Sequence, residues 1–247
     1  MSPAPHPEWI VPQWQAPKRV RALVTTRAGG TSRGPYASLN LGTRVGDDPA
    51  CVARNRAVLR GCLPSEPKWL KQVHGTRVIR AEDTEDEVEA DAAFTASANV
   101  VCAVLVADCL PVLLCDRDGS VVAAAHAGWR GLCAGVLEAV VNAMDVSPGR
   151  ISAYLGPGIG PQAYEVGADV RAAFLRRDPA ACAAFTPCPG DKFSADLGML
   201  ARQRLAACGV TRVFGGDMCT SRDRRFFSFR RDGITGRMAG LVWMEKN

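Results

Sequence analysis

The sequence predicts a mixed α/β fold of the α+β kind. Three observations carry that prediction. Continuous β-branched apolar runs such as Val100–Val106 read as buried strands. Apolar residues at 132, 136, 137, 140, 141 and 144 form a helical stripe over Gly131–Met144. Strand and helix signals are mixed, with hairpin-length gaps in places. No internal repeat, low-complexity tract or Ser/Gly-rich linker interrupts the chain, which favours one compact domain.

Taken in order, residues 1–18 are expected to be an irregular, Pro-rich leader, with residues 19–247 as the domain. Val20–Thr26 reads as a strand and Gly29–Gly34 as a turn. Asp47–Asp48–Pro49 is a helix start, and Ala50–Arg60 carries a weak helical pattern through Val52, Val58 and Leu59. Thr76–Ala81 reads as a strand and the acidic stretch Glu82–Glu89 as a solvated loop. After Val100–Val106, Pro111–Cys115 and Val121–Ala125 are two further strands around a tight turn at 116–120. Ile151–Leu155 is a strand before the turn-rich GPGIGP at 156–161. Gly167–Arg177 and Asp196–Cys208 read as helices, and Thr211–Phe214, Arg225–Phe229 and Arg237–Met244 as strands.

Composition narrows the function. Hydrophobic residues make up 47% and charged residues 22% of the 247, the profile of a folded globular chain. The net charge of +5 is mild and spread out. It permits an anionic ligand but lacks the clustered basic stripe of a nucleic-acid binder. No apolar run reaches membrane-spanning length, and the N-terminus lacks the basic-then-apolar order of a signal peptide. Ten cysteines without a CxxC pair suggest reduced thiols in a cytoplasmic protein, most of them acting as small buried hydrophobes. Only three histidines are present, and His6 lies in the leader, where solvation is expected. Two usable imidazoles, His74 and His126, cannot build the copper clusters of a laccase-type oxidase. HExxH and HxE…PCxxC signatures are absent.

Three segments place reactive side chains at the ends of apolar runs: QVHG (72–75), ADCLP (107–111) and AHAGWRG (125–131). Two imidazoles and a thiolate, from His74, His126 and Cys109, suit zinc with a fourth position left open. Such a site can polarise a bound oxygen. The same residues allow a second chemistry, with Cys109 as nucleophile and His126 or His74 as its base. Taken singly, each histidine is more often a hydrogen-bonded structural residue. Ten cysteines and six methionines would also tolerate soft metals, so a copper-handling protein is a further alternative.

A second group consists of arginines in Gly-rich turns, suited to bidentate recognition of phosphate or carboxylate. Arg27, Arg44, Arg130 and Arg230 belong to it, with Asn40 in SLNLG beside them. The alternative for each is an ordinary surface arginine. GPGIGP matches no phosphate-loop pattern, and its prolines remove backbone donors, so it reads as a rigid turn lining a pocket.

Together, TTRAGGTS, PYASLNLG, VGDDP, QVHG, ADAAFT, VADCLPVLLCD, AAAHAGWRGL, GPGIGP with YEVG, MCT and FFSFRRDG followed by TGRMAGLVWM occur in one order between Thr25 and Met244. This ensemble resembles the bacterial laccase-domain family, long labelled multicopper polyphenol oxidases. Its members are regarded as purine nucleoside phosphorylases with adenosine deaminase and methylthioadenosine phosphorylase activities. The resemblance implies a layered α/β/β/α sandwich with mixed sheets, grouped with cysteine-hydrolase-like toxins, and zinc on His74, Cys109 and His126. It implies that residues 19–247 form one catalytic domain acting on purine nucleosides and phosphate, as a monomer or small homo-oligomer. Arg27, Arg44 and Arg230 are then candidates for phosphate and Asn40 for ribose or base. Asp108, beside Cys109, is the candidate proton shuttle for deamination. The chain departs from the family pattern at Arg44, where many members have His, and an arginine there favours phosphate.

Overall fold

A computed structural model of the protein describes residues 4–83 and 87–246. β1 (Val20–Val24) leads through a long loop to α1 (Pro49–Gly61). β2 (Pro67–Lys68), β3 (Val78–Arg80) and β4 (Ala92–Thr95) follow, then β5 (Val101–Val106), β6 (Leu110–Asp116) and β7 (Val122–Ala127). α2 (Trp129–Ala134) and α3 (Val136–Ala143) return the chain to β8 (Ile151–Leu155). β9 (Glu165–Gly167), α4 (Ala168–Arg177), β10 (Phe185–Cys188), β11 (Lys192–Ala195), α5 (Leu197–Ala207) and β12 (Arg212–Gly215) come next. A short α6 (Phe229–Asp232) and β13 (Met238–Met244) complete the order.

The strands form a six-stranded sheet in the order β12-β8-β6-β7-β4-β3 and a four-stranded sheet in the order β1-β13-β5-β2. A small sheet, β10-β11-β9, stands apart from both. The two larger sheets are mixed. β6 and β7 run antiparallel, whereas β12 lies parallel to β8, β3 to β4 and β2 to β5.

Strand alternation explains the layering, because successive side chains leave opposite faces. Leu113 and Cys115 of β6, with Val122 and Ala124 of β7, pack against Ala22 and Val24 of β1, Val104 of β5 and Val242 of β13. Leu110, Val112 and Leu114 point the other way, into the apolar stripe Leu132, Leu137, Val140 and Val141 of α2 and α3. The outer face of the four-stranded sheet buries Leu23, Val101, Ala103 and Leu241 against Leu59 of α1 and Trp69. The result is the expected α/β/β/α sandwich.

Local chemistry sets the element ends. Asp48 caps α1 by accepting a hydrogen bond from Ala50 N at 2.9 Å, and Pro49 stands in the first turn, where its missing N–H costs nothing. The expected helix over Gly131–Met144 is two helices, broken at Gly135 with φ 109°, a conformation glycine adopts without strain. The stripe stays buried on both sides of the break.

The expected strand at Arg225–Phe229 is not one. Phe226 and Phe227 are both fully buried in the turn before α6, and Ser228 caps that helix by accepting from Arg231 N. β4, β9, β10 and β11 lie where no strand was expected. The acidic stretch at 82–89 falls partly outside the described residues. Its first residue, Glu82, is not simply solvated but accepts a hydrogen bond from Ser97 Oγ at 3.0 Å.

Residues 4–18 form no helix and pack against the domain. Trp9 is buried, and Ile10 pairs with Val24. Of the cysteines, only Cys102 and Cys115 are the buried hydrophobes expected of most; seven are half-buried and Cys182 is exposed. All ten are free thiols. Among the described residues, no helix is long and apolar enough to cross a membrane.

Candidate active site

The β6–β7 hairpin brings two of the candidate ligands together. Pro111 pairs with His126 across the ladder, and Cys109 precedes β6 by one residue, so thiol and imidazole share the hairpin's open end. His74 reaches them from the loop between β2 and β3. The ligand atoms of His74, Cys109 and His126 all lie within 4.8 Å of one another, with Cys109 Sγ 3.9 Å from His74 Nε2. The two imidazoles meet edge to face, with ring centroids 4.8 Å apart.

Asp91, which the sequence reading did not single out, organises this group. It sits just before β4 and is completely buried. One carboxylate oxygen accepts from His126 Nδ1 at 2.8 Å and from His74 N at 2.9 Å. The other accepts from Gly75 N at 2.6 Å and Val73 N at 3.2 Å. One carboxylate therefore fixes the His126 tautomer, leaving Nε2 for the site, and holds the loop that carries His74. That loop needs holding, because His74 has φ 60°, a left-handed conformation that is strained for a β-carbon-bearing residue.

These contacts shift the ionisation of both partners. Burial alone would push the Cys109 thiol up, but the charge of His126 and hydrogen bonds to His126 and His74 outweigh it and bring the thiol to about 6. Burial likewise opposes protonation of His126, and the Cys109 thiolate with the Asp91 bond raises it to about 9. Asp91 is held below the ordinary carboxylate range: burial works against its charge, while His126 and the N–H groups of Gly75 and Val73 overcome it. Cys109 and His126 thus form a thiolate–imidazolium pair. A metal would take the place of the imidazolium proton.

The trio fits a metal. Two imidazoles and a thiolate are a zinc-type donor set, and a tetrahedral ion holds sulfur and nitrogen ligands about 3.5 Å apart, against 3.9 Å between Cys109 Sγ and His74 Nε2 and no more than 4.8 Å within the trio. The cradle is tight: a Cβ on Gly128 would lie 2.9 Å from both Cys109 Sγ and His74 Cδ2. Glycine at the start of α2 is what lets the backbone pass this closely.

A cavity of about 480 Å³ opens over the trio, a size typical of small-ligand sites. Leu70, Leu105, Ile159 and Tyr164 form its apolar walls, with Ile159 supplied by the GPGIGP turn. Arg44, Arg56, Arg230 and Arg237 supply positive charge.

Not every expected site residue faces this cavity. Arg44 lines it and is ion-paired with Glu87 at 2.7 Å. Arg230 lines it, lies over the Tyr164 ring and donates to Glu165 O at 3.0 Å. Asp108 lines it too. One carboxylate oxygen accepts from Thr220 Oγ1 and the other from Arg230 N, both at 2.6 Å. Asn40 is buried outside the cavity, with all its polar atoms spent on Gly42, Asp47 and Arg237 N. Arg27 lies over Phe227 and donates to Ala37 O at 2.6 Å. Arg130 stacks on Trp129 and lines a separate groove with Arg176 and Arg177.

Residues 21–245 match the family model described as multi-copper polyphenol oxidoreductase laccase. The chain belongs to this laccase-domain family. It is 54% identical over 239 residues to the purine nucleoside phosphorylase YfiH of Escherichia coli, covering 95% of this chain and 98% of that protein. A purine nucleoside phosphorylase of Pseudomonas aeruginosa is 52% identical over 240 residues, covering 96% and 98%. The crystal structure of a Neisseria meningitidis protein superposes with a TM-score of 0.94 at 50% identity, covering 96% of this chain and 99% of that one. The crystal structure of YlmD from Geobacillus stearothermophilus gives 0.85 at 32% identity, with 93% of each chain covered.

Proposed function

We propose that the protein is a metal-dependent purine nucleoside phosphorylase that also deaminates adenosine. Its substrates on this reading are adenosine, inosine, guanosine and methylthioadenosine. The observation that carries it is the His74–Cys109–His126 trio at the floor of a nucleoside-sized cavity with a cationic rim. The relatives named as purine nucleoside phosphorylases support it.

In phosphorolysis a phosphate oxygen bonds to ribose C1′ as the bond from C1′ to the purine nitrogen breaks, and the electron pair leaves with the base. The protein's task is to hold the anionic nucleophile beside the sugar and to keep the base fixed. Leu70, Leu105, Ile159 and Tyr164 would grip the flat base. Arg44 and Arg230 would draw phosphate to the mouth. His74, Cys109 and His126 would hold zinc, with copper as the alternative ion, and the metal supplies Lewis acidity when bound. Asp108 would hold Cys109 and Arg230 in register. To shuttle a proton it would have to release Thr220 or the Arg230 backbone.

The test is product analysis with each nucleoside, with and without phosphate, before and after metal removal. Phosphate-dependent release of free base, lost in His126→Ala and Cys109→Ala, is expected. Inosine formed from adenosine without phosphate would mark the deaminase. Absence of any nucleoside turnover by the metal-loaded enzyme would overturn the reading.

One observation favours a second chemistry. Cys109, His126 and Asp91 stand in the nucleophile–base–orienting order of a thiol hydrolase. On that reading iodoacetamide abolishes activity toward an amide or ester while chelation leaves it intact.

A further inference from the structure

Of the cavity's arginines, Arg44 and Arg230 are exposed and half-buried Arg56 lies over the Trp69 ring, which leaves the half-buried Arg237. Among the described residues no carboxylate lies within ion-pair distance of it. Its Nη1 donates to the carbonyls of Thr235 and Gly236, both at 3.0 Å, which orients the guanidinium without neutralising it. A guanidinium has five N–H donors, so about three remain for a ligand. Burying a cation is costly: burial lowers the proton affinity of Arg237, and the more distant charges of Cys109 and Asp108 offset it only in part.

The surrounding sequence is built to keep Arg237 there. Its backbone N–H donates to Asn40 Oδ1 at 2.8 Å. Asn40 thereby joins the SLNLG loop to the start of β13. The aliphatic stem of Arg237 lies across Gly42, where a Cβ would approach Arg237 Cγ to 2.8 Å. Two motifs far apart in the linear sequence, SLNLG and TGRMAG, thus serve one arginine.

Building on the phosphorylase reading, we propose that Arg237 is the residue that binds the phosphate nucleophile, and that Asn40 and Gly42 are its positioning residues. The oxyanion takes the place of an ion-paired carboxylate, held by the guanidinium fork in the same cavity as the His74–Cys109–His126 trio. Arg44 and Arg230 at the mouth then guide phosphate inward rather than bind it.

The test compares Arg237→Gln and Arg237→Lys with the wild-type metal-loaded protein. A hydrogen bond to a charged group contributes about 1.5–3 kcal/mol, so the phosphate concentration for half-maximal phosphorolysis should rise about 10- to 100-fold in Arg237→Gln. Arg237→Lys should fall between, keeping the charge but losing the fork. Half-saturation by the nucleoside should change less than about threefold. A phosphate half-saturation unchanged in a folded Arg237→Gln protein would overturn the assignment and leave phosphorolysis standing. A second measurement needs neither turnover nor a variant. Inorganic phosphate should protect Arg237 of the wild-type protein from phenylglyoxal, as read by peptide mass mapping. Protection without nucleoside cleavage would support the oxyanion site while refuting the phosphorylase reading, and absence of protection would overturn the site itself.

Discussion

The floor and the rim of the cavity are built on opposite terms. On the floor, Asp91 spends both oxygens on four donors, His126 is almost wholly buried, and His74 is held in a strained conformation by the same carboxylate. On the rim, Arg44 and Arg230 are exposed and held by one surface ion pair, a carbonyl and a ring face. The floor is pre-organised and intolerant of change; the rim is adjustable. Chemistry that depends on sub-ångström placement belongs on the floor, and long-range attraction needs only the rim.

The sharpest way to break this contrast is Asp91→Asn. The amide cannot accept all four N–H bonds, so buried donors are left unmet. Metal affinity, measured by competition with a chelator, should fall about 10- to 100-fold, with a loss of thermal stability. Unchanged affinity in a folded variant would make Asp91 a loop anchor only. Gly128→Ala should come next. Its methyl would press on Cys109 and His74, costing about 1–3 kcal/mol of stability, whereas an alanine at exposed Arg230 should leave the melting temperature almost unmoved.

A third test reads the floor's electrostatics. In chelator-stripped protein, alkylation of Cys109 should be half-maximal near pH 6. The thiol is depressed, so reactivity is present above that pH and lost below it. His126→Asn should move the midpoint up toward the ordinary thiol range. A wild-type midpoint near pH 8.5 would deny the thiolate–imidazolium pair. The smallest effect is expected on the rim. Arg44→Ala should alter turnover by less than about 1 kcal/mol, as for an exposed ion pair, and the difference should shrink as salt is raised.

The floor was more legible in the sequence than the residues that organise it. His74, Cys109 and His126 each end an apolar run, and that pattern makes them candidates without choosing between metal ligand, nucleophile pair and structural residue. Asp91 gives no comparable sign. It stands between alanines, in a segment whose strand was itself missed because alanine has low β-propensity. A lone acid inside an apolar run was the available clue. Arg237 was read as the first residue of a strand, and its meaning depends on Asn40 and Gly42, which are distant in the chain. The aromatic pair Phe226–Phe227 misled in the other direction: apolar content suggested a strand, but both rings are buried in a turn before a four-residue helix.

The hairpin register also bears on the order of assembly. Cys109 and His126 are joined by the closure of one short hairpin, whereas His74 lies 35 residues before Cys109, and Asp91 lies 35 before His126. Shorter closures cost less chain entropy, and hairpins form in about 1–10 μs. Chain entropy alone therefore favours joining the thiol to its imidazole over joining either to His74 or Asp91, so the hairpin by itself is a two-ligand metal foothold.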